Sequence, residues 1–192
     1  VARYLMDETS KEKLMLTTMH GQIPAVDLGN GVISVNMGQP GLEWNEVPLS
    51  EKIPTLELPI EGSPTATGMG NPHCTFFVED AARINLDEMG PKFENHPLFP
   101  ERTNVQFASI SATDQIRMRV WERGVGVTLA SGSSSCATAV AANRRGLTGK
   151  KVQIELDGGI LNINWREDGV WMTGPTMNVF TGSFSEEFLN SL

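Results

Sequence analysis

Along much of the chain, apolar and polar residues alternate with a period of two. Ile116, Met118 and Val120 are separated by Arg117 and Arg119 between Gln115 and Trp121, and Ile33, Val35 and Met37 by Ser34 and Asn36. That spacing predicts strands with one buried face. Further strands are expected over Lys13–Thr18, Gln22–Leu28, Cys74–Val78 and Thr103–Ile110, with a short one around Leu56–Ile60. Pro24 suits an edge position. Three more follow at Lys151–Leu156, Ile160–Trp165 and Val170–Thr173, joined at Asp157-Gly158-Gly159 and Glu167-Asp168-Gly169, where Asp-Gly pairs favour hairpins. A last strand is expected over Asn178–Phe184, before a short helix capped by Ser185. Helical spacing is rarer. Val1, Tyr4 and Leu5 read as the inside of a helix, which points to a fragment of a longer chain. A helical turn is expected near Asn85 and Asp87, broken at Gly90-Pro91.

One segment departs from both periods. Trp121–Arg145, WERGVGVTLASGSSSCATAVAANRR, predicts a strand, a glycine turn, a Ser/Gly loop and a helix over 134–145. Ala137, Ala139, Val140, Ala141 and Ala142 leave no single apolar stripe, so this helix is expected to be wrapped by sheet rather than laid on a surface. Many short strands in hairpins around few helices make the fold class α+β. The break at Gly38-Gln39-Pro40-Gly41 divides residues 1–41 from 42–176, and residues 177–192 are expected to return to the first part as a strand and tail.

Composition narrows the function. The chain has 192 residues and a net charge of −8, so no basic stripe favours nucleic acid. No apolar run is long enough for a membrane-spanning helix. Cys74 and Cys136 fit neither a disulfide framework nor a zinc pattern, and both read as inert buried thiols in a reducing, cytoplasmic setting.

Several residues could carry chemistry. Ser131, Gly132 and Ser133 stand where the helix begins, and unpaired N–H groups there attract anions; one of the serine hydroxyls is expected to cap the helix. Glu122 and Arg123 end a strand, and a solvated hairpin tip is the bland reading of such a pair. Asn104 opens another strand, where it could serve only turn geometry. Asn71 and His73 flank Pro72 at a loop-to-strand junction; a loop histidine with a solvent or backbone partner is an equal reading.

Taken in order, GNPHC (Gly70–Cys74), Asn104 within RTNVQF, WERG (Trp121–Gly124) and TLASGSSSCATA (Thr128–Ala139) resemble diaminopimelate epimerase, and the resemblance runs from the first residues to the last strand. It implies two similar domains, each a rolled antiparallel sheet around a central helix, facing one another across a cleft. It also implies a homodimer with no cofactor and no metal, which interconverts LL- and meso-diaminopimelate in lysine and peptidoglycan biosynthesis. Two thiols, one on each face of the α-carbon, would act as base and acid. Asn71, Asn104, Glu122 and Arg123 would hold the substrate, Gly132 and Ser133 would offer amides to the reacting carboxylate, and His73 and Glu122 would support the acid/base pair.

The pattern is broken where the family has a Cys-Gly-Ser/Thr-Gly loop. Here the chain reads Ser131-Gly132-Ser133-Ser134, so the second catalytic thiol is a hydroxyl and a glycine has gained a side chain. The first catalytic Cys of the family is expected upstream of Val1. The expectation is therefore a chain inactive as it stands. Two alternatives remain: a proline-racemase-type isomerase or dehydratase, and a non-catalytic ligand-binding protein on the same scaffold.

Overall fold

The computed structural model describes residues 1–18 and 21–191. Helix α1 (Ala2–Thr9) leads into β1 (Lys13–Thr18), β2 (Gly21–Asp27) and β3 (Val32–Asn36). An irregular stretch follows, in which the expected strand near Leu56–Ile60 does not form. Thr55, Leu56, Leu58 and Ile60 instead make scattered turn and loop bonds, such as Leu58 N–H to the Pro64 carbonyl. Next come β4 (Thr65–Gly68), β5 (Pro72–Phe77), α2 (Leu86–Glu94), β6 (Asn104–Ala112), β7 (Gln115–Glu122) and β8 (Gly126–Thr128). The chain continues through α3 (Gly132–Arg144), β9 (Lys151–Leu156), β10 (Gly159–Arg166), β11 (Gly169–Pro175) and a short α4 (Glu186–Leu189).

These strands join one sheet in the order β1-β2-β3-β11-β10-β9-β7-β6-β5-β4, with β8 paired to β7. The α+β reading holds, with one refinement. The sheet is antiparallel except where β5 meets β6 and β7 meets β9. Parallel neighbours need a crossover rather than a tight turn. Here α2 lies in the crossover from β5 to β6, and α3 in that from β7 to β9.

Helix α3 occupies the centre. Ser134 through Ala142 are all buried, and the helix touches β4, β5, β6, β9, β10 and β11. Small side chains let the surrounding sheet approach on several sides. Larger ones would overpack the core, at a cost of about 1–3 kcal/mol each. On one side lies a core of Ile116, Met118, Val120, Ile154 and Ile163 against the helix alanines. A second core gathers Phe76, Phe93, Phe99, Val105 and Phe107 under α2. A third, much smaller, holds Met6, Ala25 and Ile33. In α1 the buried residue is Met6, whereas Val1 and Tyr4 are exposed, so the inward face is one position away from the expected one.

Gly90-Pro91 does not break α2, and Pro91 lies inside it. An interior proline costs about 3 kcal/mol, and tertiary packing offsets it here. Leu86 and Phe93 are buried, Phe93 packs at a tilt against Phe76 at 4.4 Å between ring centres, and a Cβ on Gly90 would fall 2.3 Å from the Trp121 indole. The glycine is therefore an approach point for that ring. The expected strand at Asn178–Phe184 is also absent: these residues belong to no strand, with Val179 and Phe180 each 82% exposed. A strand needs an open edge, and β3 beside them already pairs β2 on one side and β11 on the other. An apolar cavity of about 640 Å³ lies between α1, β3, β11 and residues 174–179.

Candidate active site

The site is a closed circuit of hydrogen bonds joining β5, β6, the end of β7 and the start of α3. It begins in the loop before β5, where Gly70 takes a left-handed conformation (φ +81°) and turns Asn71 toward a cleft. Asn71 Oδ1 lies 2.8 Å from His73 Nε2. His73 is fully buried, which removes the solvent-facing reading, and its Nδ1 lies 3.0 Å from Gln106 Nε2. Gln106 also donates to Ser134 Oγ at 3.0 Å. Ser134, the residue that adds a side chain where the family loop has glycine, thus contributes its hydroxyl to this network instead of filling the cleft.

From Ser134 the circuit runs back along the first turn of α3 to Ser131. Ser131 is the N-cap residue, yet no side-chain cap forms. Its hydroxyl donates to Glu122 Oε2 at 2.8 Å, while Thr128 donates to Glu122 Oε1 at 2.6 Å. The capping expectation fails for Ser131 because its side chain is turned to the Glu122 carboxylate, with which it forms a charge-assisted bond, and not to the helix amides. As a result the Gly132 and Ser133 N–H groups have no protein acceptor among the described residues, and they stand at the positive end of a thirteen-residue helix. A Cβ on Gly132 would lie 2.8 Å from Met172 Sδ, the flexible end of a side chain that can shift to admit it.

Glu122 leads to Arg123, whose backbone N–H donates to Asn104 Oδ1 at 3.0 Å. Asn104 Nδ2 donates in turn to the Pro72 carbonyl at 2.9 Å, which closes the circuit beside Asn71. Asn104 is thus engaged at both ends of its amide and staples the Glu-Arg turn to the Asn71 loop. The Arg123 guanidinium donates to the Glu101 carbonyl at 3.0 Å and forms no ion pair among the described residues. Together with Asn71 it lines a cleft of about 700 Å³, whose opposite wall is Gln22, Ile23, Asn36, Met37, Gly38 and Gln39. All eight residues singled out in the sequence belong to this assembly. Asn71 and Arg123 reach the cleft, His73 and Asn104 stand behind it, and Ser131 meets Glu122 at the helix start, where Gly132 and Ser133 follow it.

Two contributors escape a reading of sequence. Gln106 is one. The other is Glu94, only 5% exposed, which accepts from Trp121 Nε1 at 2.6 Å, Gly124 N–H at 2.8 Å and Arg102 at 3.1 Å. It fixes the turn that presents Arg123. Neither has a local signal, because each acts on residues far away in sequence.

Electrostatics separate the groups by task. Burial, helped by the Arg123 charge, pushes the His73 pKa from 6.5 down to about 3. His73 is therefore a neutral imidazole at any ordinary pH. Between those two values the unfolded chain binds a proton that the folded chain refuses, so stability falls as pH drops through that window, by up to ~1.4 kcal/mol per unit. Urea unfolding at pH 6.5 and 4.5 should show this as a steeper loss for the natural chain than for His73→Gln. Equal losses would mean that His73 is not a buried neutral group. The thiols take no part: burial raises Cys74 strongly and pushes Cys136 up to about 12.

The chain is similar over most of its length to known proteins. Residues 65–179 match the family model described as diaminopimelate epimerase. The chain is 47% identical over 195 aligned residues to the diaminopimelate epimerase of Acidiphilium cryptum, covering 98% of this chain and 70% of that protein. It is 46% identical to that of Rhodospirillum centenum, covering 98% and 67%. The fold, at low sequence identity, is shared with a protein described as a predicted epimerase from Pseudomonas aeruginosa (TM-score 0.63, 15% identity, 91% of this chain and 68% of that one). It is shared also with a protein named as a probable proline racemase from Agrobacterium radiobacter (TM-score 0.61, 12% identity, 91% and 62%). The chain spans about two thirds of the length of the curated relatives it matches, and over that span, with the ordered motifs and the circuit that joins them, it belongs to the diaminopimelate epimerase family of isomerases.

Proposed function

We propose that this chain holds diaminopimelate in the manner of a cofactor-independent, two-base epimerase of the lysine and peptidoglycan pathway, and that Ser131 deprives it of turnover. The observation that carries this reading is the presence of two sets of donors suited to anions. The Gly132 and Ser133 amides stand at a helix start and the Arg123 guanidinium lines a cleft, and among the described residues the amides have no acceptor and the guanidinium no carboxylate partner. A substrate with a carboxylate at each end suits both. The amides would take the reacting carboxylate and stabilise the charge that develops when the α-proton leaves. Arg123, with its planar fork, and Asn71 would take the distal end, with Asn104 ordering both.

Glu122 and His73 would support the acid/base groups on either face. Glu122 holds the Ser131 hydroxyl at 2.8 Å, where the family holds a thiol. A hydroxyl is a far weaker acid than a thiol, which titrates at about 8.5. It is a poor proton shuttle near neutral pH. The fold likeness to proline-racemase-type proteins is compatible with a smaller substrate, but an Arg123 guanidinium beside Asn71, with no ion pair among the described residues, favours one with a second charged end. We further propose that residues 1–41 and 177–192 belong to one domain and 42–176 to the other, that the protein acts as a homodimer, and that it works in the cytoplasm. Among the described residues no helix is long and apolar enough to cross a membrane.

Calorimetry and solvent isotope exchange test the reading together. Diaminopimelate should bind, and its α-proton should not exchange with deuterated solvent at a rate above that without protein. Absence of binding would overturn the substrate; exchange by the natural chain would overturn the role given to Ser131.

A further inference from the structure

We infer that Gln106 is a positioning residue that fixes the direction of the hydrogen-bond relay behind the cleft, so that Asn71 turns its NH2 group, and not its carbonyl, toward the ligand. The relay runs from Thr75 Oγ1 to Gln106 Oε1 (3.2 Å), from Gln106 Nε2 to His73 Nδ1 (3.0 Å) and Ser134 Oγ (3.0 Å), and from His73 Nε2 to Asn71 Oδ1 (2.8 Å). Thr75, Ser134, His73 and Gln106 are all completely buried. Most members of such a relay can reverse. A hydroxyl donates or accepts, and a neutral imidazole can carry its proton on either nitrogen. An amide cannot, because one end has two donors and the other only lone pairs. Gln106 is therefore the one buried member with fixed polarity, and Asn71 at the cleft must agree with it.

The surroundings of Gln106 decide which way it points. Its NH2 needs two acceptors. Two polar atoms, His73 Nδ1 and Ser134 Oγ, lie on one side; on the other side, among the described residues, there is only Thr75 Oγ1. Reversing the amide would leave one buried N–H without a partner, at a cost of about 1–3 kcal/mol. With the NH2 toward His73, Nδ1 must be the bare nitrogen and Nε2 must carry the proton. Nε2–H then donates to Asn71 Oδ1, and Asn71 Nδ2 is left for the cleft, where it has no protein partner among the described residues. Burial keeps the imidazole neutral, so there is no second proton to blur the direction. Asn71 and Arg123 consequently make a wall that only donates. Such a wall accepts a carboxylate and repels an ammonium group.

The direction of the relay does not depend on the ligand's identity; its use for the distal carboxylate rests on the function proposed above. Imidazole nitrogen NMR on the unliganded chain reads the relay itself. The signals of His73, one of three histidines, are assigned by their loss in His73→Gln. A protonated Nε2 with a bare Nδ1 is expected; a protonated Nδ1 or an even mixture overturns the inference. Gln106→Glu keeps the shape but offers only acceptors on both sides. It should move the proton to Nδ1, turn the Asn71 carbonyl to the cleft and weaken diaminopimelate binding at least tenfold, with the fold retained by circular dichroism. A variant that keeps Nδ1 bare, or that binds as the natural chain does, would overturn it. If the natural chain shows the expected tautomer but binds no diaminopimelate, the substrate assignment fails while the relay stands.

Discussion

Ser131→Cys should raise exchange of the diaminopimelate α-proton with solvent by about 10²–10⁴-fold, the range that a positioned acid/base group contributes. Position 131 already has what a thiol there would need. It stands at the N-cap of α3 with its side-chain oxygen 2.8 Å from Glu122 Oε2, and it needs no repair of the backbone. The helix start lowers a thiol's pKa, while the Glu122 charge opposes that shift. The balance leaves a group able to give and take a proton near neutrality, which a serine hydroxyl is not. Exchange is the correct measure because it needs a base on only one face of the α-carbon, so it reports position 131 irrespective of the opposite face. The assay is deuterium incorporation into LL- and, separately, meso-diaminopimelate, which offer the α-proton on opposite faces, followed by mass spectrometry. Exchange by Ser131→Cys no faster than by the natural chain would show that this side chain does not face the α-carbon. Glu122→Gln in the same background should remove most of the gain, because the amide cannot accept the thiol proton as a carboxylate does.

How much of this was legible in the sequence depends on how local each cause is. The alternation of Ile116, Met118 and Val120 with two arginines foretold β7 because the pleat is a property of neighbouring residues. The run of alanines foretold that α3 is enclosed, since small side chains along most of one helix leave no other way to pack. The two parallel pairings could not be read, because pairing direction is set by where a crossover lands and not by the strands it joins. Pro91 misled for a related reason. Its local cost is real, but Gly90 on Trp121 and Phe93 on Phe76 outweigh it from elsewhere in the chain. The tail after β11 has strand-like alternation, yet β3, next to its first residues, is already paired on both edges.

The candidate site divides in the same way. Its motif residues were legible because each lies in a short, unusual stretch. Their bland readings were not all wrong. Asn104 does serve local geometry, with both ends of its amide bonded, and it is by doing so that it joins the Asn71 loop to Arg123. Ser131 was expected to behave as any serine before a helix does, and a carboxylate nine residues earlier in the chain changed that. Gln106 and Glu94 were silent, because a buried polar residue announces itself only when its partners are known.

Arg123→Met should weaken diaminopimelate binding by about 10²–10⁴-fold. A guanidinium that grips a carboxylate with two charge-assisted bonds contributes about 1.5–3 kcal/mol for each, and ~1.4 kcal/mol is a factor of ten. Arg123→Lys should recover only part of this, because an ammonium group keeps the charge without the fork. The change is well isolated. Arg123 holds Asn104 through its backbone N–H, which substitution leaves in place, and the side chain surrenders only its bond to the Glu101 carbonyl. Calorimetry gives the affinity, and a thermal midpoint close to that of the natural chain shows that the circuit persists. Binding within threefold of the natural chain would remove Arg123 from the ligand site. The same variant separates the two causes of the low His73 pKa. Burial is the larger and the Arg123 charge the smaller, so in Arg123→Met the imidazole should remain neutral through pH 5 while its titration moves upward from about 3. A His73 that became charged near pH 6 would mean that the guanidinium, and not the enclosed position between Asn71 and Gln106, is what keeps the relay neutral.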